Sequence, residues 1–241
     1  MTVLNSHVVH SPTSRTFLLF LAAWLLLSFL MMFLYFVSIP GFFHALGLEP
    51  RTALLLSLLS IVGSAVNVPI KRIRKLVTVQ HETYGFWGIS YQVPVRRSEE
   101  IVIAVNVGGC LIPVAVSVYL IATNLDLWLQ YLLATAVTTI VSYATARVIP
   151  GVGIAVPFFL PAAVAGTVAL LTTKGGAASV AYVAGTLGTL IGADLLNLRK
   201  AVNWGSAPVL SIGGAGTFDA VFVTGLTAVW IAYVLSPGAG T

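Results

Sequence analysis

The chain has 241 residues, of which 58% are hydrophobic and 8% charged, and its mean hydropathy is +1.00. Soluble domains carry about 25% charged residues, so this composition excludes a soluble enzyme, a nucleic-acid binder, a disordered regulator and a disulfide-stapled secreted domain. The net charge of +5 comes from 12 Lys and Arg residues that gather at the ends of apolar segments, which is a pattern of membrane orientation.

A membrane-spanning helix needs about 20 mostly apolar residues. Cutting the chain where charges, Pro or Gly break such runs predicts a single polytopic domain over 1–241, all-α, with seven transmembrane helices. After a polar tail at 1–15 that carries His7 and His10, the spans fall at 16–38, 52–69, 100–123, 127–147, 152–172, 177–198 and 208–235. The first is too long for a signal-peptide core and lacks a small-residue cleavage site, so it is expected to stay attached. Lys71, Arg72, Arg74, Lys75, Arg96, Arg97, Arg147, Arg199 and Lys200 join Arg15 on one side, against Arg51 and Lys174 on the other. The positive-inside rule then places the N-terminus in the cytoplasm of a multi-pass cell-membrane protein and the C-terminus outside. The single cysteine, Cys110, lies in an apolar run and carries no redox information.

Between the second and third spans, the cytoplasmic loop 71–99 alternates Val77, Val79 and His81, then Ile89, Tyr91, Val93 and Val95, with polar residues around Gly85 and Gly88. That period predicts a small β-hairpin on the cytoplasmic surface. Tyr84, Phe86, Trp87 and Tyr91 are expected at headgroup level, with Lys71, Arg72, Arg74 and Lys75 meeting anionic lipid. His81 and Glu82 have no further His or Cys at ligand spacing, so neither a metal nor another cofactor is expected.

Inside the spans, a charge costs at least about 2.5 kcal/mol and must be offset by something. Two acids qualify. Asp194 stands in span six, five residues before Arg199, and so about 8 Å inside the cytoplasmic boundary at helical rise. Asp219 stands in span seven, after the glycine-rich run Gly213, Gly214, Gly216. Such a run is expected to interrupt that span or cap its start, leaving amides that bond side chains or water; Asp219 then lies level with Asp194. Asn67, Asn106, Asn197 and Thr217 are further polar candidates to support the pair, while Gly185, Gly188 and Gly192 suit close helix packing.

The segments Asn106-Val107-Gly108-Gly109-Cys110-Leu111-Ile112-Pro113, Gly185 to Leu198 and Ser211 to Asp219 resemble a prokaryotic, largely archaeal family of multi-spanning proteins catalogued as DUF1614, which brings no established activity. More remotely, the arrangement resembles the intramembrane aspartyl proteases of the presenilin and signal peptide peptidase type, with one aspartate in a Tyr-Asp pair on span six and one in Gly-x-Gly-Asp on span seven. That resemblance implies catalytic roles for Asp194 and Asp219 on a transmembrane-helix substrate. Ala193 stands where that family has Tyr, and Thr217 and Phe218 separate Gly214-Ala215-Gly216 from Asp219.

Two other functions stay open. Asn106-Val107-Gly108-Gly109-Cys110 and Ser211-Ile212-Gly213-Gly214-Ala215 align without a gap, and a parallel repeat of broken helices suits a transporter or channel whose acids bind a proton or cation. A non-catalytic membrane scaffold would have Asp194 bonding Asn106 or the amides freed between Gly213 and Gly216. Partners expected in every case are the lipid bilayer and no nucleic acid.

Overall fold

In the computed structural model, residues 21–22, 25–26, 29, 37–38, 41–43, 45–86, 89–173, 175–204, 207–214 and 220–235 are described, and of 75–99 only the backbone. The chain divides into two compact units, Met1–Ile39 and Pro40–Thr241. The expected first span falls in the first unit and mostly outside the described residues. All elements below belong to the second.

Pro50 opens helix α1 (Pro50–Gly63), where its fixed φ suits a helix start and its missing N–H costs nothing. The chain then runs extended through β1 (Asn67–Phe86) and β2 (Ile89–Asn106). A π-helical turn, Val107–Leu111, leads into α2 (Ile112–Thr123). A short 3-10 turn precedes α3 (Trp128–Thr145), which ends in the hairpin β3 (Arg147–Ile149) and β4 (Gly153–Ala155). Next come α4 (Phe159–Thr172) and α5 (Ala177–Thr189), a second π-helical turn, Leu190–Leu195, and α6 (Leu196–Trp204). Strand β5 (Val209–Ile212) and α7 (Ala220–Leu235) complete the fold.

The bundle is built around α5. Almost every residue of α5 is buried, as expected of a helix surrounded on all sides, and it packs against α2, α3, α4 and α7. Small residues let the backbones close up. A Cβ on Gly185 would come 3.0 Å from the Thr224 carbonyl oxygen, and one on Gly188 would come 2.6 Å from Thr138 Cβ. Hydroxyls cross-link the same seam, with Tyr131 bonding the Leu120 carbonyl at 3.2 Å and Ser179 Oγ at 3.1 Å.

At one end of the bundle lies a sheet in the order β1-β2-β5. β1 and β2 pair antiparallel from Asn67 opposite Asn106 to Phe86 opposite Ile89, with irregularities at Pro69/Lys71 and Val79/Glu82. β5 joins β2 in parallel, Val102 opposite Val209 through Val105 opposite Ile212. Helix α6 lies against this sheet: Ala201 is buried with Ile101, Ala207 and Leu210, and Leu198 and Val202 pack on them.

The fold is mainly helical with a small sheet, and it revises four of the expected span boundaries. Span two's helix ends at Gly63 and the chain is already a strand at Asn67. Span three starts no earlier than Val107, because 101–106 belong to β2. Span five is strand at 153–155 and helix only from Phe159. Span seven is strand at 209–212 and helix from Ala220. The hairpin exists, but it takes in 67–106 instead of a small part of the loop. The cause is common to three of them: Ile101-Val102-Ile103 and Val105, Ile154, and Val209 and Ile212 are β-branched, and short β-branched runs prefer a pleated surface.

Among the described residues, two helical stretches, Leu125–Thr145 and Ala177–Trp204, are long and apolar enough to cross a membrane, while α1, α4, α7 and the stretch Val107–Thr123 are shorter.

Candidate functional site

Asp194 sits in the π-helical turn Leu190–Leu195 that interrupts the helix between α5 and α6. Single π turns inside α-helices are rare and are often found at functional sites. Two contacts hold this one. Gly192 lies flat against α3, where a Cβ would run into the Thr139 carbonyl and come 2.9 Å from Ser142 Cβ. Asn197, buried at 3% exposure, donates from Nδ2 to the carbonyls of Gly192 and Ala193, both at 3.1 Å. Lys200 Nζ in turn donates to Asn197 Oδ1 at 3.3 Å and to the Tyr143 hydroxyl at 2.9 Å, tying the turn to the end of α3.

The Asp194 carboxylate reaches out of this turn to the sheet. Its Oδ2 accepts the Gly213 N–H at 2.7 Å, a length typical of hydrogen bonds to a charged acceptor. Val102 N–H takes the Pro208 carbonyl at 2.9 Å, and alternate residues of a parallel strand bond the same neighbour. Gly213 therefore presents its amide on the edge of β5 that β2 does not use, and Asp194 caps that edge. Gly213 and Gly214 have φ of +81° and +93°, a region L side chains rarely adopt. A Cβ on Gly213 would also come 2.5 Å from Cys110 Cβ.

A second polar group closes the end of β2. Asn106, fully buried, accepts the Gly109 N–H on Oδ1 at 2.7 Å and so caps the first π turn. Its Nδ2 donates to the Ser64 carbonyl at 2.7 Å and to Asn67 Oδ1 at 3.1 Å. Ser211 Oγ donates to that same Asn67 oxygen at 2.5 Å, so α1, β1, β2 and β5 meet at one point. Gly108 permits this crossing, because a Cβ there would fall on the Ser60 carbonyl and the Ser64 amide.

Of the residues singled out in the sequence, Asp194 and Gly213 are brought into direct contact, with Gly214 beside them. Asn67 and Asn106 are joined to each other through the Nδ2 bond, and Asn197 supports the turn that carries Asp194. Gly216, Thr217 and Asp219 lie outside the described residues. The bond from Asp194 to a freed glycine amide is the alternative that a structural role would require. Lys200, Tyr143 and Ser211 were not among the expected site residues. Lys200 had a signal in its i,i+3 spacing from Asn197; the other two are joined across long sequence separations.

The two glycine-rich repeats lie side by side. Each ends a strand, β2 or β5, that pairs in parallel with the other, and an apolar helix, α2 or α7, follows each. The ladder sets Ala104 opposite Ser211, two residues off the sequence alignment of Asn106 with Ser211, which preserves the face of the sheet. A groove of about 440 Å³ between α1 and α2, lined by Leu48, Glu49, Thr52 and Tyr119 among others, holds none of these residues. Among the described residues, no three His, Cys, Asp or Glu side chains gather as a metal site would require.

A helical bundle capped at one end by a small sheet, with glycine turns where strands pass into helices, is the class this geometry defines. The chain belongs to the family described as "Protein of unknown function (DUF1614)", which matches residues 61–231, from the last turn of α1 into α7. No curated protein and no solved structure matches it.

Proposed function

We propose that the bundle is embedded in a cell membrane, sheet end toward the cytoplasm, and that Asp194 works there with Asp219 as an aspartyl pair that hydrolyses peptide bonds of membrane-embedded segments. The apolar surface supports the membrane half of this reading. On α3, Leu129, Leu132, Leu133, Val137 and Ile140 are all exposed, as are Leu54, Leu55, Leu58, Leu59 and Val62 on α1. Exposed apolar rows of this extent on two helices are unusual for a soluble monomer. Lys71, Arg72, Arg74, Arg147, Arg199 and Lys200 are carried by the sheet, by β3 and by α6, which suits the cytoplasmic side.

The observation that carries the catalytic half is the bond from Asp194 Oδ2 to Gly213 N–H. It ties one acid to a point six residues before the other, a distance of about 9 Å along a helix and at most about 20 Å of extended chain. One oxygen of Asp194 is held by the amide; the other, with no hydrogen bond among the described residues, is assigned in this reading to water. In such a pair, one carboxylate takes a proton from the water whose oxygen attacks the peptide carbonyl carbon, and the protonated partner gives its proton to the carbonyl oxygen. The C–N bond then breaks and the amine leaves with a proton.

Ion-coupled transport is the second reading, favoured by the two strand-glycine-helix repeats lying in parallel. Proteoliposomes separate the two. Under the proteolytic reading, the parent cleaves a membrane-helix reporter, and Asp194→Asn and Asp219→Asn do not. Proton or cation flux lost in the same variants, with no peptide product from the parent, supports transport. Variants that alter neither leave Asp194 as a cap for Gly213 and refute both.

A further inference from the structure

The strand register gives the long hairpin two unlike faces. Residues directly opposite each other in an antiparallel pair share a face, and the face changes at every step along a strand. At the root, Ile101 and Ile103 are buried, and Ile73, opposite Ile101, packs on the same core. This is the face that lies against α6. The opposite face carries Arg72, Arg74 and Glu100, exposed and paired at 3.5 and 3.9 Å.

Following the odd-numbered residues of β2 outward from Ile101, past Glu99 and Arg97, the buried-side face takes in Val95, Val93 and Tyr91. Val95 is opposite Val79, and Tyr91 is opposite Tyr84. Phe86 and Ile89 close the same face at the turn, and Glu82, opposite Val93, is its polar exception in this outer part. The other face receives Thr78 with Arg96, Thr83 with Gln92, and Ser90. The irregularity at Val79/Glu82 inserts its extra residue in β1, so β2 keeps its alternation throughout.

β5 accompanies β2 only along 102–105. Beyond that the ribbon has two strands, and an isolated two-stranded ribbon is marginal in water unless one face packs on something. Its apolar face continues the one that α6 covers, and α6 extends directly from the bundle. We propose that the ribbon beyond Lys75 rests this face on the lipid surface beside the bundle, its aromatic end at headgroup depth, as a membrane-surface arm. The occupant is the phospholipid interface, because the root of this face, at Ile73 and Ile103, packs on Leu190 and Val221, in the helices that the membrane reading sets in the bilayer. Tyr and Phe at the far end suit that boundary. This proposal rests on the membrane reading of the bundle and is independent of the chemistry at Asp194.

Doxyl-lipid quenching of single-cysteine fluorophores tests it, using the full chain on a Cys110→Ala background in phosphatidylcholine nanodiscs. Labels replace Val93 or Val95 on one face, Gln92 or Arg96 on the other, and Leu132 on α3 as the bundle control. The proposal expects Val93 and Val95 labels to be quenched several-fold more than Gln92 and Arg96 labels, with Leu132 quenched as well. Quenching at Leu132 with equal or absent quenching on both ribbon faces overturns the ribbon proposal alone. A blue-shifted Val93 label that lipid does not quench points to a second copy covering the face and also overturns it. No quenching at Leu132 overturns the membrane reading and the ribbon proposal with it.

Discussion

Removing the Asp194 carboxylate tests whether it anchors the glycine turn. In Asp194→Ala, the buried Gly213 N–H loses its acceptor at 2.7 Å. A hydrogen bond to a charged group contributes about 1.5–3 kcal/mol, and a buried donor left unpaired costs about 1–3 kcal/mol, so the alanine variant is expected to lose about 2–3 kcal/mol. Asp194→Asn keeps an oxygen in the same place and gives up only the charge, so its loss is expected to be about 1 kcal/mol. The gap between the two variants, about 1.4 kcal/mol, is a tenfold difference in the folding equilibrium. Unfolding of the detergent-solubilised protein, followed by circular dichroism, measures it. Hydrogen exchange over 207–214 reports the amide itself and should quicken in the alanine variant and change little in the asparagine one. Equal losses in the two variants, or unchanged exchange in both, would refute the anchoring role.

Gly108→Ala places a methyl group on the Ser60 carbonyl and the Ser64 amide, backbone atoms that cannot step aside, and is expected to abolish the α1 crossing at a cost above about 3 kcal/mol, read as loss of the monodisperse folded peak. Asn106→Ala removes the bonds to Gly109, Ser64 and Asn67, whereas Asn106→Asp keeps the cap on Gly109 but sets a buried carboxylate oxygen against the Ser64 carbonyl and Asn67 Oδ1; aspartate should destabilise at least as much as alanine, by about 2–3 kcal/mol, in the same unfolding assay. A cysteine in the 71–99 loop is expected to react with impermeant maleimide only from the cytoplasmic side, and one after Pro237 only from outside.

The parts of the fold that depend on long local patterns could be read from the chain. Span four matches α3 to within two residues at either end, and the start of span six matches that of α5, because each is a long apolar run with clear ends. The passage from strand to helix at Asn106 and the helix start at Ala220 are hidden within continuous apolar runs, because a short buried strand and a helix segment look alike in hydropathy. Breakage of span seven at Gly213 and Gly214 was legible from composition, since two adjacent glycines weaken a helix. The π turn at Asp194 was not. It depends on Gly192 meeting the Thr139 carbonyl and on Asn197 turning back onto its own helix, and packing of that kind leaves no periodic trace. The link from Ser211 to Asn67 spans 144 residues and follows only from the order of strands in the sheet.

The central claim is that Asp194 and Asp219 meet. Cysteines at both positions on the Cys110→Ala background, oxidised in nanodiscs, measure this directly, since a disulfide needs Cα atoms about 4.4–6.8 Å apart. An Arg74→Cys/Glu100→Cys pair, directly opposite each other in the β1–β2 ladder, where Cα atoms of an antiparallel pair lie about 4.5–5.5 Å apart, serves as the positive control. The account predicts a 194–219 crosslink, identified by peptide mapping, in yield comparable with the control. Efficient crosslinking of the control with none between 194 and 219 would contradict it.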